Sequence, residues 1–234
     1  KYTSPSKMSS RDDVGIPACT LLIGSIALIL SMVGNFYCGY SSREAIFSSG
    51  TNAPLRFKDY RAGIWGYQDF DIFLVASNGS IRANGYSYCV PYNKDIQTDI
   101  VRDTPWTSAR VFTIMSAVIG GLTVVAGCFA MCADSKTNSV LVKVLALSYF
   151  LCTLFQGLTF LFFSSVACDS GTGSITKGGV TYDVTIGDCK PTYGANCSIA
   201  SVVFYFVAML LACAGSVTSK SRPAEPKDNA GEQE

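Results

Sequence analysis

The stretch Arg61-Ala-Gly-Ile-Trp-Gly-Tyr-Gln-Asp-Phe-Asp71, which runs on into Ile72-Phe-Leu-Val-Ala76, decides the fold of this chain. It lies in a polar segment between two apolar runs that are each long enough to cross a bilayer. The second part is rich in side chains that favour β-strands, and Asn78-Gly79 then supplies a hairpin turn. After a second Asn-Gly pair, Tyr86-Ser-Tyr-Cys-Val90 predicts another strand. We therefore predict a small antiparallel sheet standing on helices, with Trp65 packed near its base.

The composition is typical of a membrane protein. Hydrophobic residues make up 49% of the 234 residues and charged residues 15%, and the mean hydropathy is +0.30. A formal net charge of +1 offers little attraction to a polyanion, so we expect no nucleic-acid partner. The lack of histidine removes the commonest metal ligand and the usual general base at neutral pH. The chain begins with Lys1, so we expect a processed or incomplete protein.

Four apolar runs predict a mainly α fold: a bundle of four transmembrane helices with a small antiparallel β-sheet formed by the two outer loops. Each run is long enough to cross a hydrocarbon core of roughly 30 Å. A cleaved signal peptide is the alternative for the first run, but no Ala-x-Ala-like site follows it. The predicted spans are residues 17–38, 108–131, 140–166 and 199–218, with outer loops 39–107 and 167–198. We predict one membrane domain over residues 1–218 and a flexible cytoplasmic tail over 219–234.

The distribution of basic residues predicts the orientation. Lysine and arginine are mildly enriched at the start, in the turn after the second span and in the tail, which favours cytoplasmic termini. Two glycosylation sequons, at Asn78 and Asn196, fall in the loops that this orientation places outside. Trp106 closes the first loop, where an indole suits the membrane interface. We expect a multi-pass protein of the plasma membrane that contacts the lipid bilayer.

The predicted spans carry little that could perform chemistry. Proteins that catalyse or transport inside a bilayer usually place ionisable residues at mid-membrane. Here Gln156 and Asn35 are the only strongly polar amides within the spans. We interpret both as helix–helix hydrogen-bonding residues, with a transport path as the alternative. The sequence shows no serine–histidine pair, metal-ligand cluster or phosphate-binding Gly-rich loop, so we expect no enzymatic activity, no metal and no cofactor.

Cysteines in the outer loops predict disulfides if these loops face an oxidising compartment. Four cysteines allow three connectivities, and Cys38 at the outer end of the first span could also take part. A bond across the hairpin-like segment of the second loop would staple it. The candidates are Cys89, Cys168, Cys189 and Cys197.

Other patterns concern the helices themselves. Small residues one turn apart, such as Ser116-xxx-Gly120 and Ala117-xxx-Gly121, predict close packing inside the bundle, with a lateral contact between proteins as the alternative. Cys128 and Cys132 end the second span on the cytoplasmic side. They are candidates for palmitoylation, with ordinary packing as the alternative.

Together, these features resemble the claudin and peripheral myelin protein superfamily of four-span proteins. The matching parts are the order of elements, Gly63-Ile64-Trp65 in the long first loop, Ala109-Arg110 opening the second span and the cysteine pair closing it. The resemblance implies that Trp65 packs the loop sheet onto the bundle and that Arg110 stands at the mouth of the span. Claudins carry two cysteines soon after the tryptophan, whereas here Cys89 stands alone, so the resemblance implies a divergent member.

The expected function is non-enzymatic. We expect a protein of adhesion, barrier formation or auxiliary-subunit type that works through its outer loops and lateral helix contacts. Its partners would be other membrane proteins, including a second copy of itself. The alternatives are a small-solute channel or transporter, and an accessory subunit of a pigment–protein membrane assembly.

Overall fold

Four long helices form the body of the computed structural model, which describes residues 15–48, 55–70, 73–77, 80–84, 87–92, 103–132, 135–177 and 180–220. The helices are α1 (Gly15–Phe36), α2 (Thr104–Cys132), α3 (Ser135–Leu158) and α4 (Tyr193–Lys220). Two short 3-10 helices, Thr159–Ser164 and Val166–Cys168, continue α3. The four predicted spans thus correspond to four helices, and residues 221–234 of the predicted tail lie outside the described residues.

The surface of the bundle is apolar and its interior carries polar groups, the reverse of the pattern in a water-soluble bundle. Leu122 is 65% exposed and Phe129 is 69% exposed, whereas Asn35 and Gln156 are buried. Each of four helical segments is long and apolar enough to cross a membrane: Pro17–Phe36, Thr104–Met131, Val140–Ser164 and Tyr193–Gly215. The predicted fold class is confirmed, and the chain has the structure of a multi-pass integral membrane protein.

All four helices begin before the predicted spans, and the starts of α2 and α4 bear on the site. Helix α2 begins at Thr104 instead of residue 108, because Asp103 accepts the first helical hydrogen bond and Pro105 is tolerated in a first turn. Helix α4 begins at Tyr193 instead of residue 199, and the carbonyl of Thr192 accepts the N–H of Asn196. The ends of the predicted loops therefore belong to helices.

One sheet joins the two loops, so both lie at the same end of the bundle, called here the sheet end. Its strands are ordered β6-β3-β2-β1-β8-β7, and β9 also pairs with β1. All pairings are antiparallel. The strands are β1 (Ser41–Ser48), β2 (Leu55–Ala62), β3 (Gly66–Phe70), β6 (Ser87–Pro91), β7 (Gly171–Lys177), β8 (Val180–Ile186) and β9 (Lys190–Pro191). Strand β1 from the first loop carries β8 and β9 from the second, which confirms a sheet built from both loops.

A separate hairpin consists of β4 (Phe73–Ser77) and β5 (Ser80–Asn84), in agreement with the strands expected on both sides of the first Asn-Gly pair. The turn residues themselves, including Asn78, lie outside the described residues. Strand β6 pairs with β3, so the second Asn-Gly pair does not join two paired strands.

The helices pack in a ring in which α1 contacts α2 and α4, and α3 contacts the same two neighbours. Small residues allow close contacts inside the ring: a Cβ at Gly120 would lie 2.6 Å from the hydroxyl oxygen of Tyr205. At Gly121 a Cβ would meet nothing within 4 Å. The Ser116–Gly120 pair therefore packs inward, whereas Gly121 lies where another molecule could approach.

Candidate functional site

The turn between β2 and β3 brings the sheet against the end of α1. Gly63 donates its N–H to the carbonyl of Gly66 over 2.8 Å, and Ile64 between them is fully buried. A Cβ at Gly63 would lie 2.8 Å from the Cα of Cys38 and from the carbonyl oxygen of Tyr37. Only glycine allows so close an approach of the two backbones. This explains why a glycine precedes the Ile-Trp pair.

Trp65 reaches the bundle from this turn. Its ring stacks on Phe36 at the end of α1, with ring centroids 5.8 Å apart and an interplanar angle of 17°. The Arg110 guanidinium lies over the same indole, 4.1 Å from the centroid, and over Trp106, 4.6 Å from that centroid. An arginine between two aromatic faces is a favourable cation–π arrangement. We call Phe36, Trp65, Trp106 and Arg110 the tryptophan–arginine junction.

Trp106 is the deepest part of this junction. Only 1% of its surface is exposed, so the indole packs inside the protein and does not face lipid. Its expected depth at the membrane interface stays a prediction. Tyr92 packs edge-on against it at 5.5 Å and donates its hydroxyl to the carbonyl of Gly63 over 2.9 Å. Trp65, in contrast, is only partly buried. The junction thus joins β2, β3, α1 and α2 in one cluster.

Ring contacts, and not hydrogen bonds, hold the two indoles. Among the described residues, neither Trp65 Nε1 nor Trp106 Nε1 has a hydrogen-bond partner, although both nitrogens are buried. A buried unpaired N–H has an energetic cost. The stacking of Arg110 and the burial of apolar ring surface must offset this cost.

A second cluster crosses the bundle just below the junction. Gln156 on α3 accepts at Oε1 from Ser31 (2.7 Å), Asn35 (3.0 Å) and Ser116 (3.0 Å). Its Nε2 donates to Asn35 Oδ1 over 3.1 Å, and Ser198 donates to that same oxygen over 3.1 Å. We call these five residues the amide network. It links all four helices, as the prediction of helix–helix hydrogen bonding for Gln156 and Asn35 requires.

Tyr40 connects the amide network to the sheet. The Thr159 hydroxyl donates to the carbonyl of Gln156 over 2.7 Å, so the Tyr40 hydroxyl, 3.0 Å away, donates to Thr159. Tyr40 is fully buried directly before β1. Desolvation raises the pKa of Tyr40 to about 12, although hydrogen bonds from its neighbours act in the opposite direction. Its phenol therefore stays protonated and keeps donating up to strongly alkaline pH.

Two disulfides secure the sheet end. Cys168 is bonded to Cys189, with Cα atoms 5.2 Å apart, so the predicted staple over β7 and β8 is present. Cys89 on β6 is bonded to Cys38, which follows α1, with Cα atoms 5.9 Å apart. Three of the four candidates are thus bonded, whereas the fourth, Cys197, is a free and buried thiol. The early start of α4 places it inside the bundle, and Cys38 is the partner used instead.

The modification candidates lie in different surroundings. Cys128 is a free, exposed thiol near the end of α2, and Cys132 is the last residue of that helix, with its side chain outside what is described. Asn196 is exposed in the first turn of α4. The serine of its sequon, Ser198, is buried in the amide network.

The junction and the amide network hold the sheet and the helices together. Over the described residues, no group of three His, Cys, Asp or Glu side chains is placed to hold a metal ion. The side chains of the amide network bond to one another, and the arginine of the junction is stacked between rings. What the geometry provides is a firm attachment of a sheet to a membrane bundle.

No protein-family model matches this chain, and no curated protein matches it with significant sequence similarity. The class of the protein is therefore defined by its fold: a four-span membrane protein whose two loops share one disulfide-bonded sheet.

Sequence reasoning missed two residues of the junction region. Trp106 was assigned to a loop, although Asp103-Thr-Pro105 is a typical helix start and would have placed it in a first turn. Tyr92 had no sequence signal of its own, because its role depends on where β6 ends beside the turn at Gly63.

Proposed function

We propose that this chain is a divergent claudin-like protein that presents its outer sheet as an interaction surface, in adhesion, in barrier formation or as an auxiliary subunit of a membrane complex. The tryptophan–arginine junction carries this proposal. It fixes the sheet to the bundle at Arg110, which stacks on an indole from the sheet and on an indole from α2. A surface held in this way is preorganised, which lowers the entropic cost of binding a partner.

The family assignment is supported by the way the motif residues are used. Gly63, Ile64 and Trp65 pack the base of the sheet on the bundle, and Arg110 stands at the mouth of α2 beside them. The cysteine pattern differs, because Cys89 bonds to Cys38 and not to a second cysteine within the same loop. Such a relative would keep the architecture while changing how the loop is anchored.

The edge strand β7 is the part of the sheet that we assign to partner binding. Gly171 to Ser174 are all exposed, and among the described strands β7 pairs with β8 on one side and with none on the other. The other side offers free backbone N–H and C=O groups, which an extended segment of a partner or the same strand of another copy can pair with. On the helices, the open face at Gly121 would serve lateral contacts.

The orientation that fits this function has both termini in the cytoplasm and the sheet outside, at the plasma membrane. An oxidising exterior supports it, since both disulfides lie at the sheet end. Under this orientation, Asn78 and Asn196 would be accessible to glycosylation, and Cys128 and Cys132 to acylation. Each of these modifications remains part of the proposal.

The first test places the full chain in liposomes and measures vesicle clustering by light scattering. The second crosslinks the protein in native membranes and identifies its partners by mass spectrometry. A Cβ at Gly173 on β7 would meet nothing within 4 Å, so Gly173→Lys adds a charge to the edge without a clash. We expect Gly173→Lys to reduce association with its own copy or with the crosslinked partner. Gly173→Ala is the matched control and keeps association.

Two results would count against the proposal. If Gly173→Lys associates as well as the parent protein, the sheet edge is not the contact. If the parent protein associates with nothing and instead lets small solutes cross the liposome membrane, the channel alternative replaces an interaction function.

A further inference from the structure

A cleft of about 540 Å³ opens at the sheet end, between the end of α1, strand β1 and the start of α4. It is separate from the tryptophan–arginine junction and does not depend on the proposed function. Its lining includes Tyr37, Gly39, Ser42, Arg61 and Tyr193. Its volume falls within the range of roughly 300–1,000 Å³ that small-molecule sites occupy.

Two cations lie on one face of the sheet beside this cleft. Ser42 on β1 pairs with Arg61 on β2 and with Lys190 on β9. Directly paired residues point their side chains to the same face of a sheet, so two cations flank one hydroxyl. Arg61 and Lys190 are both exposed, and among the described residues neither forms an ion pair.

The floor of the cleft is made by a glycine. A Cβ at Gly39 would lie 2.7 Å from the ring of Tyr37 and 3.6 Å from Cδ of Arg61. The carbonyl of Gly39 accepts hydrogen bonds from the N–H of Gly194 and from the hydroxyl of Thr192. The start of α4 is thereby held at the cleft, and the positive end of this helix adds to the charge of the two cations.

The other wall is aromatic and lies at the membrane boundary. The rings of Tyr37 and Tyr193 meet edge to face, 6.4 Å between centroids, and 43% and 66% of these residues is exposed. The first span ends at Phe36 and the fourth begins at Tyr193. Val33, which also lines the cleft, is 44% exposed on the span itself. The cleft therefore has a cationic side toward water and an apolar side that continues onto the lipid-facing surface.

We propose that this cleft binds the phosphate-bearing head group of a glycerophospholipid in the leaflet at the sheet end. Arg61 and Lys190 bind the phosphate oxygens, and the Ser42 hydroxyl donates to them. The glycerol backbone packs against the pair of tyrosines, and an acyl chain runs past Val33. A free phosphate ion would satisfy the same cations, but it would leave the tyrosine wall and the apolar side unused.

The test measures lipid binding to the full-length protein in detergent by native mass spectrometry, with dioleoyl phosphatidylglycerol as the probe. We expect one lipid to be retained more tightly than the rest. Arg61→Gln and Lys190→Gln should each weaken its binding about tenfold, the effect of losing a charge-assisted hydrogen bond. Arg61→Lys should restore part of the affinity. Both side chains are exposed, so the variants should melt like the parent protein.

Lys143→Gln is the matched control, because it removes one exposed positive charge from α3 near the opposite end of the bundle. Equal weakening by Lys143→Gln would show a general charge effect and overturn the site, as would unchanged binding in Arg61→Gln. A competition experiment adds inorganic phosphate to the protein with its retained lipid. If inorganic phosphate displaces the retained lipid at equal concentration, the cleft is an anion site and the lipid proposal is wrong.

Discussion

At the scale of single residues, Arg110 lies where the loss of hydration destabilises a positive charge. It lies in the second turn of the membrane span that begins at Thr104, and the residue is only partly exposed. The two indole faces give this cation an electrostatic partner without a second charge. A carboxylate there would also pair with it, but two desolvated ions at a membrane boundary carry a larger penalty. The stack is thus a low-cost way to fix a loop next to lipid.

The contribution of Trp65 can be measured by truncation. Trp65→Ala removes the stack on Phe36 and one of the two rings over Arg110. We expect a loss of about 2–3 kcal/mol in unfolding free energy, below the roughly 3–5 kcal/mol for fully buried aromatics, because Trp65 is only partly buried. Chemical unfolding of the purified protein in micelles measures this loss. Trp65→Phe keeps a ring in place and serves as the control. Parent-like stability of Trp65→Ala combined with lost partner binding would instead assign this indole to the interface.

We expect the stability of the protein to fall at alkaline pH because of Tyr40. Its pKa is raised to about 12 in the folded protein, against 10.0 for the free side chain. Between these values the unfolded chain loses the proton and the folded chain keeps it, so the stability present below pH 10 falls as the pH rises toward 12. The loss should approach about 2–3 kcal/mol. Unfolding free energies of the parent protein and of Tyr40→Phe across this window measure it, and the difference between them should shrink as the pH rises. Parallel curves would show that the phenol does not resist ionisation.

Residue roles were predictable where a local pattern carries them. Gly63-Ile64-Trp65 could be picked out because small neighbours let an indole reach the bundle, whereas Arg110 was singled out only by the resemblance to claudins. Trp106 was misplaced, since its burial depends on a helix that begins four residues earlier than the apolar run. Hydropathy marks where lipid begins, whereas a helix begins where its first N–H groups find acceptors.

At the scale of elements, the amide network explains how a bundle with few polar residues fixes its helix register. In lipid, hydrophobic burial does not drive one helix toward another, so packing and hydrogen bonds decide the arrangement. Gln156 is fully buried and takes donors from α1 and α2 at a single oxygen. Sliding any one helix by a residue would break these bonds. The amides were visible in the sequence, but their serine partners were not distinguishable from other small residues.

Replacing Gln156 tests this account. Gln156→Leu keeps the volume but leaves Ser31, Asn35 and Ser116 without their shared acceptor. We expect a loss of about 2–3 kcal/mol, because several buried donors become unpaired. Ser198→Ala removes a single donor and should cost about 0.6 kcal/mol, the average for one such bond in a membrane protein. Unfolding of the full chain in mixed micelles measures both.

The same variants distinguish packing from transport. If Gln156→Leu were as stable as the parent protein but changed the flux of small solutes through liposomes, the amides would line a path and the transport alternative would gain. If Gln156→Leu is destabilised and neither the parent protein nor the variant passes solutes, the amides have a packing role.

At the scale of the whole molecule, both disulfides and the tryptophan–arginine junction fall at the sheet end. The junction, Tyr40 and both disulfides all lie where the sheet meets the bundle. A thin sheet has little core of its own, so its stability has to come from this attachment. The four spans and the shared sheet were predictable because apolar runs and strand patterns are local. The partner of Cys89 was not, because cysteine counting leaves the connectivity open and only the fold brings Cys38 beside β6.

The two disulfides predict different losses when they are removed. Cys38 and Cys89 are 51 residues apart in sequence, and Cys168 and Cys189 are 21 apart. Loop-closure entropy then assigns about 4 kcal/mol to the first bond and about 3 kcal/mol to the second. We expect the double variant Cys38→Ser/Cys89→Ser to lose more stability in unfolding experiments than Cys168→Ser/Cys189→Ser. The control is Cys197→Ala, which removes a free thiol and should cost less than either pair. Mass mapping of unreduced peptides completes the test: finding Cys197 bonded to any of the other four would contradict both the pairing and the inward position of the first turn of α4.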